Sequence, residues 1–339
     1  MPHDGGILMN INNMKKNTQN GFTLLELMVA LALGLIISAA AIQLFIGGFL
    51  TSRMQEANAE LQNSGVFGLD YIARDIRLAN YGVSRPDLND QTPWGGIVLT
   101  AINATDTSTN IPYPAGAPFV SVGLLSHSLG SGEAVSNVKN EWQGLSNVNL
   151  PSDQLTIQFV APNAMVNCEG LDVQEGDYVV QRYFLRRDPA DATTGTNYAL
   201  ACDANTPTPL GTAAVAQPTS ITGFGGAGQI IMPRVDHFTV QLGARSANNN
   251  LGYYTINEYR KVAKAARAKA PAEAAPRIVS IKMAVLVRSL DDTKNKNIDL
   301  TKPVSMLNQN VTLTDDKTQY ARRVYTTSIA IRNGMGVPR

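Results

Sequence analysis

The sequence predicts an α+β fold: one long N-terminal α-helix, membrane-spanning and then amphipathic, packed on an antiparallel β-sheet globular domain with long loops. Three observations predict it. First, Leu27–Leu50 holds no charged residue, and its only strongly polar side chain is Gln43. At about 1.5 Å per residue this run makes a helix of about 36 Å, enough for a hydrocarbon core of about 30 Å. Second, Met54, Ala57, Leu61, Gly65, Leu69, Ile72, Ile76 and Ala79 recur at spacings of three and four, which marks one apolar stripe. Third, beyond Pro86 short apolar runs stand between stretches rich in Gly, Pro, Asn, Thr and Ser, the pattern of strands and loops.

Composition narrows the function classes. The chain has 339 residues, with 28 Lys+Arg against 27 Asp+Glu and a net charge of +1, so no broad basic field points to nucleic acid. His3, His127 and His237 are too far apart in sequence to form a metal-ligand motif. No Gly-x-Ser-x-Gly, His-Glu-x-x-His, Walker or Cys-x-x-Cys motif occurs. Gly223–Gly228 is glycine-rich but does not fit the dinucleotide fingerprint, and no clear strand precedes it. Asp291-Asp292 and Asp315-Asp316 read as solvated turn residues. Neither an enzyme nor a cofactor is expected. Cys168 and Cys202 are the two cysteines. Behind an export-type segment an even count reads as a disulfide, with two unpaired thiols as the alternative. A loop of about 35 residues closed in this way would be stabilised by about 3.5–4 kcal/mol in the chain-entropy model.

Along the chain, residues 1–20 are polar, and Lys15 and Lys16 hold this end in the cytoplasm. Met14 directly precedes them. Residues 1–13 are therefore expected to be an early start or to leave with a leader. Residues 15–50 admit three readings. A secretory signal peptide would use Ala39-Ala40-Ala41 as its cleavage site, but Glu26 interrupts its apolar region and the run continues to Leu50. A plain anchor leaves Glu26 unexplained, because a carboxylate in the membrane is costly and needs a partner.

The third reading explains more residues. Gly21-Phe22-Thr23-Leu24-Leu25-Glu26-Leu27 closely resembles the class III leader junction of type IV pilins and pseudopilins. The resemblance implies cleavage between Gly21 and Phe22 by a prepilin peptidase, N-methylation of Phe22, and a fold of the type IV pilin kind. It also makes Glu26 the fifth mature residue. A buried carboxylate needs a cation, and the α-amino group of Phe22 on a neighbouring subunit supplies one. The expected organisation is a leader at 1–21, a transmembrane and polymerisation helix at 22–50, its amphipathic half at 51–82, and a β-rich domain at 83–339.

The amphipathic half carries Asp70 and Arg74 at i,i+4, with Arg74 and Arg77 near its C-terminal end. Asn80-Tyr81-Gly82 is expected to stop it, with Gly82 as the cap. From Phe22 to Asn80 an unbroken helix is about 88 Å long. Leu155–Phe159 and Phe238–Leu242 alternate as half-buried strands. Tyr178–Leu185 and Ile278–Val287 read as central strands. Ile97–Leu99 and Val120–Leu124 are weaker candidates, and 101–118, 126–150, 186–233 and 243–256 read as loops. Residues 257–270 form a basic, Ala-rich helical insertion ended by Pro271. It reads as solvated rather than as a contact for an acidic partner or a phosphate backbone.

Tyr320–Asn333 is a β-rich final strand. Its Arg322-Arg323-Val324-Tyr325-Thr326-Thr327-Ser328-Ile329-Ala330-Ile331-Arg332-Asn333 looks like the ending of PilW-type minor pilins. Asp75-Ile76-Arg77-Leu78-Ala79-Asn80-Tyr81-Gly82 is similar to another element of that family. Departures from major pilins are the absence of a proline in the apolar run, the greater length, and cysteines far from the C-terminus. The resemblance implies a minor pilin that joins other minor pilins, primes pilus assembly and sits at or near the tip. Implied partners are the other minor pilins, the major pilin, the prepilin peptidase, the assembly machinery, a tip adhesin and the inner membrane. No nucleic acid is expected for this subunit. The implied location is the inner membrane, with the globular domain periplasmic, and the assembled pilus, a fibre for twitching motility, adhesion or DNA uptake. A J-type pseudopilin of type II secretion shares the anchor logic. A soluble exported adhesin released by signal peptidase is the reading from another class.

Overall fold

The structure, a computed structural model, describes residues 21–82, 88–92, 95–99, 120–129, 135–189, 196–209, 221–315 and 317–334. The expected leader up to residue 20 and the loop at 101–118 lie outside them. The chain divides into two units, one ending at Thr51 and one spanning Ser52–Arg339.

The first unit is helical from Leu24. Helix α1 (Leu24–Gln62) begins there and runs on into the second unit. Between Leu24 and Phe49 every side chain is exposed, and the rings of Phe45 and Phe49 stack on each other along the helix surface. That suits a hydrocarbon environment, the one solvent that does not oppose such a surface.

In the second unit a π-helical segment (Asn63–Phe67) follows α1, and helix α2 (Gly68–Leu78) completes the run. The expected stripe is the buried one. Ala57, Leu61, Gly65, Leu69, Ile72, Ile76 and Ala79 are all buried, and Met54 is half-buried. The stop differs from expectation. The chain leaves the helix at Ala79, which is extended (ψ 136°), and Asn80 (φ 68°) takes the left-handed position of the turn that the Tyr81 N–H closes on the Leu78 carbonyl (2.9 Å), two residues before Gly82 (φ 73°).

Strands β1 (Leu155–Val160), β2 (Met165–Val166), β3 (Asp172–Val173), β4 (Asp177–Arg187), β5 (Tyr198–Ala204), β6 (Thr208–Pro209) and β7 (Gln229–Met232) come first in the chain. Among the described residues β1-β4-β5-β7 form one antiparallel sheet, with β6 also paired to β4, while β2 and β3 make a small hairpin. Strands β8 (Val235–Arg245), β9 (Leu251–Thr255), β10 (Arg277–Arg288), β11 (Val304–Met306), β12 (Gln309–Val311) and β13 (Arg322–Ala330) follow. A second sheet has the order β13-β10-β8-β9, with hairpin β11–β12 beside it.

The main core joins the helix stripe to inward residues of both sheets, among them Ile157, Phe159, Leu200, Phe238, Val240, Ile281, Met283 and Val285. The opposite face of the second sheet is not left to water. Ala284 and Leu286 pack there with Met306 and Val311 of the hairpin.

Several expectations are corrected. β1 and β8 are not half-buried, since nearly every residue in each is buried. The polar alternates of β1 are covered by chain that bonds them. Thr156 Oγ1 donates to the Leu124 carbonyl (2.6 Å) and Gln158 Nε2 donates to the Gly95 carbonyl (2.7 Å). Ile97 makes only an isolated bridge to Ile157, and Val122–Leu124 is a short 3₁₀ turn. The expected loop at 186–233 contains β5, β6 and β7, and the one at 243–256 contains the end of β8 and β9. β5 is Tyr198-Ala-Leu-Ala-Cys-Asp-Ala204, without alternation or β-branched residues. It is extended because its neighbours β4 and β7 pair with it and both its faces are covered.

Helix α3 (Ile256–Arg267) is no solvated insertion. Ile256, Tyr259, Arg260, Ala263 and Ala266 are buried. Arg260 donates to the carbonyls of Leu99 (3.2 Å) and Ser126 (3.1 Å), and Arg267 grips Asp90 with two bonds (2.8 and 2.6 Å).

Candidate functional site

The N-terminal site is built on the start of α1. Gly21 and Phe22 precede the helix and are exposed. Thr23 is the residue before the first helical one. Its N–H donates to Glu26 Oε2 (2.9 Å), its hydroxyl donates to the same oxygen (3.0 Å), and the Glu26 N–H donates to Thr23 Oγ1 (3.2 Å). This is a capping box: two backbone donors that the helix leaves unmatched are satisfied reciprocally by the two side chains. Both bonds to the Glu26 carboxylate end on Oε2. Among the described residues Oε1 accepts nothing. Sequence reasoning isolated Glu26 but missed Thr23. The signal was in the sequence, because Thr-x-x-Glu directly before an apolar run is the capping-box pattern.

A second site lies where the amphipathic helix meets the β domain. Asp75, on the buried stripe side of α2, accepts from the Tyr183 hydroxyl (2.6 Å). Gln181 satisfies all its neighbours with its amide nitrogen toward Asp75 Oδ2 (2.9 Å) and Tyr183 (3.0 Å) and its oxygen on the Cys168 N–H (3.0 Å). Burial lifts the Asp75 carboxyl from its usual 3.8 to about 6, opposed by the Tyr183 bond and by Arg74.

The end of the chain closes the end of the helix. Asn333 Nδ2 donates to the carbonyls of Arg77 (3.3 Å) and Ala79 (3.4 Å), while Asn80 Nδ2 donates to the Asn333 carbonyl (2.9 Å). Asn80 Oδ1 accepts from the Gly96 N–H (2.8 Å). The two segments singled out in the sequence, Asp75–Gly82 and Arg322–Asn333, are thus bonded to each other. Arg322 donates to the buried Asp236 (2.8 Å), whereas Arg323 is exposed.

Cys168 and Cys202 form a disulfide with Cα atoms 6.0 Å apart. Both are buried, and Cys202 sits in β5 rather than in the loop-like setting the sequence suggested. The next residue, Asp203, orders the glycine-rich stretch. It accepts from the N–H groups of Gly225 and Gly226 (both 3.0 Å), and it pairs with Arg182 at 2.9 Å. Gly223 and Gly225 have φ of 73° and 97°, a region that glycine enters without the Cβ clash other side chains bring. The loop's amides therefore hold an internal carboxylate. His237 lies 3.1 and 3.2 Å from the hydroxyls of Ser146 and Ser152 through Nδ1. Burial lowers it to about 4, so the ring is neutral at pH 7 and poorly suited to general-base work.

Comparison with known proteins bears on both ends of the chain. Residues 183–333 match the family model described as Type IV Pilus-assembly protein W. Residues 16–42 match the model of the prokaryotic N-terminal methylation motif. No curated protein sequence matches. Among solved structures, a type IV-like pilin from Thermus thermophilus aligns at 12% identity and a TM-score of 0.27, covering 54% of this chain and 79% of that one.

Proposed function

We propose that this PilW-family chain works as a minor pilin: it joins other minor pilins in the inner membrane, primes assembly of the type IV pilus and ends at or near its tip. The observation that carries the reading is the capped start of α1. A methylation motif lies over Gly21, Phe22 and Glu26, and an apolar helix follows it directly. Cleavage between Gly21 and Phe22 on the cytoplasmic side leaves that helix attached, so the product stays in the membrane with its globular domain periplasmic.

The new α-amine of Phe22 is then methylated. Glu26 keeps its cap through Oε2 and offers Oε1 to the Phe22 amine of a neighbouring pilin. Such a pair, desolvated in lipid, fixes the axial register of neighbouring helices. The role is structural, and the chain catalyses nothing itself.

Mass spectrometry of the mature N-terminus tests the reading. N-methylated Phe22 is expected, with Gly21→Arg protein retained at precursor length. A mature terminus near Ala41, or an uncut chain in cells that process their other prepilins, overturns it. Glu26→Gln is expected to be processed normally yet to be depleted from sheared pili, as read by immunoblot.

A further inference from the structure

The free edge of the second sheet carries an inference that does not depend on the N-terminal helix. β13 pairs with β10 on one side, in unbroken register from Arg322 to Ala330. The Ile331 N–H donates to the Val279 carbonyl directly opposite it (2.9 Å), and the Ser289 N–H donates to that of Ala321 (2.8 Å). Hydrogen-bonded pairs alternate along an antiparallel ladder. Arg323, Tyr325, Thr327 and Ile329 therefore turn their backbone groups toward β10. Val324, Thr326, Ser328 and Ala330 turn theirs away. Thr326, Ser328 and Ala330 are exposed, and among the described residues nothing pairs with these outward groups.

Free edges invite strand addition, and proteins blunt them with charge, proline, bulges, short length or cover. The other edges here are treated so. β1 is covered, since Val98 and Asn80 bond to Thr156 and Gln158 (2.8 and 3.1 Å). β7 spans Gln229–Met232 with an irregular register against β5, and β9 spans Leu251–Thr255 and runs straight into α3. β13 has none of these devices between Val324 and Ala330: no charge, no proline, no glycine and no bulge.

Charge selects the occupant. Arg323 and Arg332 flank the neutral stretch, and both are exposed. A second copy laid antiparallel, with Val324 opposite Ala330, sets Arg323 of each copy one position from Arg332 of the other, at both ends. Like charges so placed oppose pairing. Carboxylates in the same places would form charge-assisted bonds instead.

We propose that the outer edge of β13, Val324–Ala330, is a docking surface that takes an extended segment of another protein as an added strand, the segment being uncharged in its middle and acidic at both ends. Main-chain bonds supply the affinity and the flanking arginines the selectivity.

The test uses the full chain in detergent micelles and a short peptide of alternating threonine and valine with aspartate at each end. Amide hydrogen exchange of Thr326, Ser328 and Ala330 is followed by NMR. The acidic peptide at millimolar concentration is expected to slow these amides about tenfold, while its lysine-ended counterpart leaves them unchanged. Thr326→Pro removes an outward donor but no bond to β10, and it should abolish the effect. Thr326→Val should keep it. Where the proline variant does not fold, the acidic-ended peptide N-methylated along its middle, which cannot complete the ladder, is used on the parent chain and should give no protection; equal protection by it overturns the proposal. The proposal falls if the acidic peptide gives no protection, if the lysine-ended one protects equally, or if protection survives in folded Thr326→Pro. It also falls if the chain alone protects this edge as its concentration rises, since the occupant is then a second copy.

Discussion

Asp75 is the residue whose chemistry most directly couples helix to sheet. Its carboxyl is raised to about 6 by burial, the largest cause, with Tyr183 and Arg74 working against it. The folded chain thus holds this proton more tightly than the unfolded chain does. The group's contribution is full below about pH 4 and is lost as pH rises through about 6. A shift of about two units corresponds to about 3 kcal/mol. Asp75→Asn keeps an acceptor for Tyr183 and removes the charge. It is expected to be more stable than the parent by about 1–3 kcal/mol at pH 8 and equal to it near pH 4, as read by guanidinium unfolding of the full chain. Sequence could mark Asp75 as an acid beside a buried stripe. It could not place Tyr183 and Gln181 opposite it, because those residues arrive from β4. Arg182 and Asp203 are alike in this respect, distant in sequence and paired only in the folded sheet.

The amphipathic helix shows how far periodicity reaches. The stripe positions Ala57, Leu61, Gly65 and Leu69 are each four apart. On a regular α-helix each such step drifts about 40° from the same face. The π-helical turn at Asn63–Phe67 is wider and absorbs part of this drift, so that all four face inward. The stripe was legible in the sequence, and so was the drift that the π turn corrects. The need for glycine was not. A Cβ on Gly65 would overlap the ring of Tyr325, which β13 lays across the helix. Gly65→Ala is expected to cost about 1–3 kcal/mol by overpacking. In a Tyr325→Ala background the same change should cost less than half as much, and a double-mutant cycle of unfolding free energies measures the difference. The missed strands β5 and β9 have a similar cause. β5 has no β-branched residue, and β9 is a five-residue run directly behind Asn248-Asn249-Asn250; both are held extended by the strands they pair with.

For the molecule as a whole, the second unit is tied together by contacts between distant segments. The Cys168–Cys202 bond joins the β2–β3 hairpin region to β5 across 34 residues. Replacing both cysteines by serine is expected to cost about 2–4 kcal/mol. Chemical denaturation should show the loss, and reductant should then destabilise the parent but not the variant. By itself the sequence determined the features set by local chemistry: the apolar helix, the acid near its start, the amphipathic stripe, the longest strands and the resemblance at both ends. An apolar run and a repeating stripe say what they require of their surroundings without saying which neighbour provides it. Only the tertiary structure decided which neighbours those are. It sets Asn333 on the end of α2, Tyr183 against Asp75, Asp203 in the glycine-rich loop and α3 in the core. Among the described residues it also leaves one edge of β13 open. The reason is physical: hydrogen-bond partners and close contacts between residues far apart in sequence exist only once the sheets have formed, and no local pattern encodes their pairing.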